Sequence, residues 1–260
     1  MTFSLGPRAV SAGYRLASFD RIGSTNAEAL QRARAGERGP IWFVTSEQTA
    51  GRGRRHRPWI APRGNLASGI LEVMDVSPPV AATLGFAAGL ALVGALRTAG
   101  PNEARFTLKW PNDVMADGKK LPGILLEAEA VGDRLAVVTG IGTNVVAAPQ
   151  GTPTPATSLR TLGIELGAEQ LFAALSDSWI EFRNIWDDGR GFAEIRQKWL
   201  QLAAGLGQPV SISFGGSVVT GIFETIDDAG CMIVRTSDGR RVPISAGDVY
   251  FGVAASAGAA

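Results

Sequence analysis

The spacing of apolar residues changes character along the chain. Residues 24–35 (STNAEALQRARA) read as a helix, with a capping box at Thr25-x-x-Glu28 and a stop at Gly36. IWFVTSEQ and NLASGILEV, from residues 41 and 65, are β-branched and aromatic runs of the kind strands use. FTLKW follows, then a turn at Pro111-Asn112-Asp113, then KLPGILLEAEAV after the Asp117-Gly118 turn. RLAVVTGIGTNVV, residues 134–146, is nearly continuous in apolar residues, which predicts a strand covered on both faces. APQGTPTPATS is a loop at 148–158. LFAALSDSWIEFRNIW and FAEIRQKWL return to helical spacing, with Leu171, Leu175, Trp179 and Phe182 on one stripe. After Gly205 the pattern shortens: PVSISF, VVTGIFETI, CMIVRT and RVPIS are short strands, and Asp238-Gly239 is a strong hairpin signal. The expectation is an α/β chain, with a mixed sheet and packed helices over residues 1–205 and a small barrel over 206–260.

One stretch tests that picture. VSPPVAATLGFAAGLALVGAL, residues 76–96, has no charge and is long enough to cross a bilayer. It opens with two prolines, consists mostly of Ala and Gly, and carries Gly85-x-x-x-Gly89, so a buried helix is expected instead. The first 22 residues lack the apolar core of a signal peptide, which predicts a cytoplasmic protein. Lys+Arg and Asp+Glu number 25 and 24, so no broad basic field for nucleic acid exists and any basic site must be local. Cys231 and His56 are each alone, which excludes an intramolecular disulfide, a cysteine cluster and a multi-histidine metal site. Cys231 reads as an inert strand thiol.

The local basic site is easy to find. GRGRRHR, residues 51–57, places four arginines and the only histidine among glycines. Glycine lets backbone approach a ligand closely, and guanidinium forks grip carboxylate and phosphate in bidentate fashion. An exposed basic loop would read the same way. Trp59 can stack on a base or seal a pocket. LKWPNDV sets Lys109 and Asp113 on either side of a turn at a strand end, either a site address or an ordinary exposed ion pair. Lys120 precedes an apolar strand, and GIGTNV ends one with Asn144, whose amide matches an adenine edge. GSTN, residues 23–26, is a helix N-terminus able to hold a polar or anionic group. No GxxxxGK[ST] phosphate loop is present.

In this order, GSTN, QTAGRGRRHRPW, KWPNDV, KLPGIL and GIGTNV resemble the motif series of the biotin protein ligases. The likeness runs from about residue 19 to residue 253, since the final small strands are similar to that family's SH3-like C-terminal domain. Pro122 stands where a small residue is frequent and His56 where glycine is.

The resemblance implies a class II synthetase-like catalytic domain and a two-step reaction. Biotin and ATP give biotinoyl-5′-AMP, and a lysine of a biotin carboxyl carrier domain then takes the acyl group. It implies Mg²⁺ with the ATP, no DNA partner, no membrane, and a monomer or homodimer. It assigns Arg54, Lys120, Asp113 and Lys109 to catalysis. Biotin falls to Ser24, Thr25, Asn26, Gln48, Gly51, Arg52 and Lys120. The nucleotide falls to Arg52, Gly53, Arg54, Arg57, Trp59, Asn112 and Asn144. No residue is assigned to the metal. Residues 51–57 are expected to be mobile without ligand and ordered by the intermediate. The rival readings are a lipoate- or octanoate-transferring relative, a DNA-binding regulator, for which only 22 residues precede GSTN, and an RNA-binding loop.

Overall fold

A computed structural model describes residues 2–53, 57–100, 106–152, 154–214 and 217–251. Seven strands form one sheet: β1 (Arg15–Phe19), β2 (Ile41–Thr45), β3 (Leu66–Met74), β4 (Phe106–Lys109), β5 (Asp113–Ala116), β6 (Lys119–Val131) and β7 (Arg134–Thr143). Their order is β1-β2-β3-β7-β6-β5-β4, with β1 and β2 parallel and every other pair antiparallel. The expected mixed sheet is present.

Both faces of this sheet are covered, which is why its central strands look uniformly apolar. Trp42, Val44, Leu66, Ile70, Val137 and Ile141 point into the main core. Their neighbours Ile41, Phe43, Leu71, Ala136 and Val138 point the other way, into a smaller cluster under α2 (Thr25–Arg34), where Ala29, Leu30 and Ala33 meet them. A period-2 strand with apolar residues in both registers belongs between two layers. Ser24 caps α2, accepting the Ala27 N–H at 3.3 Å. The cap therefore lies one residue ahead of the expected Thr25-x-x-Glu28 box, which does not form, and Glu28 pairs with Arg32 one turn on instead.

The main core lies against α3 (Pro78–Ala82), α4 (Leu84–Ala99), α5 (Ala168–Trp186) and α6 (Phe192–Leu200). The run Pro78–Ala99 is long and apolar enough to cross a membrane, yet 78% of its most apolar window is buried inside the protein. Its glycines set the packing distance. A Cβ on Gly89 would lie 3.0 Å from Leu108 Cδ2, and one on Gly94 2.5 Å from Ser178 Oγ of α5. On α5 Leu171, Leu175 and Trp179 are wholly buried and Phe182 is partly so, as the helical stripe predicts. Trp179 and Phe172 both pack edge-on to Trp42 of β2 at 6.3 and 5.3 Å, so helix and sheet share one aromatic cluster.

The remaining strands, β8 (Pro209–Phe214), β9 (Ser217–Ile226), β10 (Met232–Arg235), β11 (Arg241–Ile244) and β12 (Asp248–Phe251), form an antiparallel sheet ordered β11-β10-β9-β8-β12. The Asp238-Gly239 turn joins β10 to β11, with Gly239 at φ +84°. Three short elements go beyond the expected ones besides β12: α1 (Pro7–Ser11), β1 and β5. The Trp110 indole ties the two sheets together by donating to the Gly230 carbonyl at 3.0 Å.

Candidate active site

A cavity of about 420 Å³ is lined by residues of both sheets. Its floor is backbone from β3, β6 and β7, and small residues keep it open. A Cβ on Gly140 would lie 2.4 Å from Asn26 Oδ1, and one on Gly142 2.6 Å from the Trp59 indole. One on Gly123 would meet the same indole at 3.1 Å. Gly140 and Gly142 are thus demanded by close approach, not by unusual dihedrals.

One end of the cavity is polar. Ser24, Thr25 and Asn26 are 7%, 3% and 5% exposed at the start of α2. Gln48 Oε1 accepts both the Thr25 N–H at 2.8 Å and the Thr25 hydroxyl at 3.1 Å. Asn26 Nδ2 donates to the Leu125 carbonyl at 3.3 Å and to Glu127 Oε2 at 2.9 Å. The helix N-terminus expected to offer free N–H groups therefore has those of Thr25 and Ala27 already engaged.

The described parts of the arginine stretch, with Pro58 and Trp59, line one side of the cavity. Gly53 N–H donates to the Arg57 carbonyl at 2.8 Å, and Trp59 N–H to the Gly51 carbonyl at 2.9 Å. Arg52 reaches Glu127 at 3.4 Å and Arg57 reaches Asp248 at 3.1 Å, so the two described parts are held by strands of different sheets. Arg54 lies outside the described residues, with Arg55 and His56, and so does the centre of the segment expected to move. Trp59 lies flat against Gly123 and Gly142, its Nε1 buried and without a hydrogen-bond partner among the described residues.

Two lysines line the cavity from the β4–β5 turn and the start of β6. The Trp110-Pro111 peptide is cis, and the turn it makes places Lys109 and Asp113 directly across from each other in the β4–β5 register. Lys120 Nζ meets Asp113 Oδ1 at 2.6 Å. Lys109 is 7% exposed, with its ammonium 5.5 Å from the centre of the Phe251 ring. Burial holds its pKa below the ordinary lysine value; Asp113 pulls back up, Lys120 adds to the depression and Asp248 opposes it. With Asp248 paired to Arg57, the two ammonium groups around Asp113 leave this wall net positive, suited to an anion.

Ser24, Thr25, Asn26, Gln48, Arg52, Gly53, Arg57, Trp59, Lys109, Asp113, Lys120 and Asn144 all line this cavity. Gly51 and Asn112 do not. A Cβ on Gly51 would lie 2.5 Å from the Trp59 carbonyl, which makes Gly51 a hinge-side spacer. The Asn112 amide is turned away to donate to the Ile124 carbonyl at 3.3 Å, so its expected nucleotide contact has no geometric support. Asn144 donates to the Thr157 carbonyl at 3.2 Å, while its Oδ1 is buried and unpartnered among the described residues.

Two walls escape the motif reading. Pro149, Gln150, Thr152 and Thr154 come from the loop after β7, which Lys120 pins through its N–H to the Pro155 carbonyl at 2.8 Å. Gly247–Tyr250 come from the start of β12. Among the described residues no group of three or more His, Cys, Asp or Glu could hold a metal by itself.

Comparison with known proteins shows which family the chain resembles in sequence and fold. The Biotin/lipoate A/B protein ligase family pattern matches residues 18–144, and the Biotin protein ligase C terminal domain matches residues 205–252. The chain is similar to the biotin--[acetyl-CoA-carboxylase] ligase of Paracoccus denitrificans, at 41% identity over 89% of this chain and 98% of that one. This chain belongs to the biotin protein ligase family. A second family member, the Mycobacterium tuberculosis enzyme of the same name, is 36% identical over 95% of this chain and 93% of its own length. Among solved structures, biotin protein ligase from Aquifex aeolicus in complex with biotin and ATP superimposes with a TM-score of 0.75 at 25% identity. That match spans 92% of this chain and 99% of the other.

Proposed function

We propose that the chain adenylates biotin with ATP and transfers the acyl group to a lysine of a biotin carboxyl carrier domain, as its relatives' names and bound ligands indicate. The observation that carries this is convergence. Residues from five separated motifs, at Ser24–Asn26, Gln48–Trp59, Lys109–Asp113, Lys120–Leu125 and Gly140–Asn144, line a single cavity that brings buried hydroxyls and amides together with several cations.

In the first step a biotin carboxylate oxygen attacks the α-phosphorus of ATP, and the bond to pyrophosphate breaks. Both partners are anionic, so the step needs fixed cations; losing one preorganised donor costs about 3 kcal/mol. Arg52, Lys120 and Lys109 supply them, together with Arg54. Lys120 exchanges its resting partner Asp113 for the incoming anion. Trp59 covers the ligand and Asn144 Oδ1 accepts from the adenine amino group. In the second step the carrier amine attacks the acyl carbon, AMP leaves, and the amine proton passes to Asp113. Mg²⁺ brought in with the ATP would supply charge neutralisation on the phosphates, which suits a hard cation without a dedicated cluster of protein ligands.

The class II synthetase-like reading of residues 1–205 and the SH3-like barrel reading of 206–260 rest on the seven-stranded and five-stranded sheets. The barrel's part in the reaction is to close the cavity through β12. A cytoplasmic monomer or homodimer that leaves DNA alone completes the reading. The test is incubation with biotin, MgATP and an apo carrier domain, followed by intact mass. One added biotin on one lysine is expected; labelling with lipoate or octanoate in its place sinks the assignment.

A further inference from the structure

Resting on that reading of the cavity, we infer that Glu127 of β6 is a positioning residue that decides which head group the polar end accepts. A primary amide side chain has two N–H donors and one acceptor oxygen. Both donors of Asn26 are taken, one by the Leu125 carbonyl and one by Glu127 Oε2. What remains is Oδ1, which lies over the floor, 2.4 Å from where a Cβ on Gly140 would stand and 3.0 Å from one on Gly69. Asn26 can therefore only accept from a ligand. A head group must bring an N–H, which the ureido ring of biotin has and the dithiolane ring of lipoate lacks.

Without Glu127 only the longer bond to the Leu125 carbonyl, at 3.3 Å, orients the amide, and the one-way character of Asn26 weakens. The other Glu127 oxygen has a second task. It meets Arg52 at 3.4 Å with both side chains partly exposed, at 44% and 25%. Such a pair is weak and readily exchanged. Glu127 thus parks Arg52 beside the cavity until a carboxylate or phosphate replaces it.

Calorimetry with biotin and with lipoate, on wild type, Glu127→Ala and Glu127→Gln, tests this. Glutamine keeps an acceptor for Asn26 Nδ2 but removes the charge facing Arg52. Biotin affinity is expected to fall about tenfold in Glu127→Ala and to stay within about twofold in Glu127→Gln, with lipoate unaffected. Hydrogen exchange at Gly53 and Trp59 is expected to quicken in ligand-free Glu127→Gln and to return to wild-type rates with biotin. Equal biotin affinity in all three proteins, or equal loss in both variants at matched melting temperature, overturns the positioning role. Unchanged exchange overturns the parking of Arg52. A wild type that binds no biotin removes the proposed function itself, a different outcome from either.

Discussion

The floor of the cavity is backbone, and its roof is side chains. Along the floor β3, β7 and β6 run in continuous registers from Leu66 to Met74 and from Pro122 to Val131, with no room for a Cβ at Gly140 or Gly142. The roof, residues 51–53 and 57–59, is joined to itself by two N–H bonds and to the rest of the protein by the Arg52–Glu127 and Arg57–Asp248 pairs. A backbone ladder buried on both faces fixes a shape, whereas exposed ion pairs contribute little and exchange easily. The site thus divides its labour. Recognition of shape sits where nothing can yield, and charge neutralisation sits where partners can swap.

Changes that attack this division should differ in size. The largest effect is expected for Lys120→Ala, which removes a cation anchored to the floor: biotin-dependent pyrophosphate exchange should drop in kcat by about 10²–10³. Next comes Gly140→Ala, whose methyl must displace Asn26; biotin affinity should weaken by about tenfold or more, with only a small change in melting temperature. Lys109→Met probes the buried ammonium through pH. Between the lowered pKa of Lys109 and the ordinary 10.5, the folded protein binds fewer protons than the unfolded chain, so wild-type stability should rise with pH across that window. Chemical denaturation of Lys109→Met should lack this slope. The smallest effect belongs to the roof. Asp248→Asn breaks the Arg57 pair and should speed loss of bound biotinoyl-AMP by only about two- to fivefold, measured by filter retention.

Much of this was legible in the residues because it is local. FAEIRQKWL is α6 residue for residue, and the Asp238-Gly239 hairpin forms where its dipeptide says it should. The core strip of α5 follows from spacing alone. What escaped depends on distant partners. β5 starts at Asp113 inside what reads as a turn, since only pairing with Phe106–Lys109 makes DVMA a strand. β12 is four residues long and exists by pairing with β8. The cap slipped from Thr25 to Ser24 because two adjacent hydroxyls satisfy the same local rule, and Gln48 claims the second. Cavity-lining residues were legible where a motif marks the end of a strand or the start of a helix. Glu127 was not, because a carboxylate inside an alternating strand looks like any solvent-facing position until Asn26 and Arg52 are placed beside it.

The wall made by Gly247–Tyr250 has a consequence in time. Chains emerge from the ribosome from their N-terminus, and the large sheet can assemble before this wall exists. Until β12 is translated and docked, the cavity has floor and cations but one open side, and Lys109 lacks the aromatic ring of Phe251. A half-made molecule would thus be able to bind the vitamin before it could guard a reactive anhydride, so competence for the hazardous step arrives last.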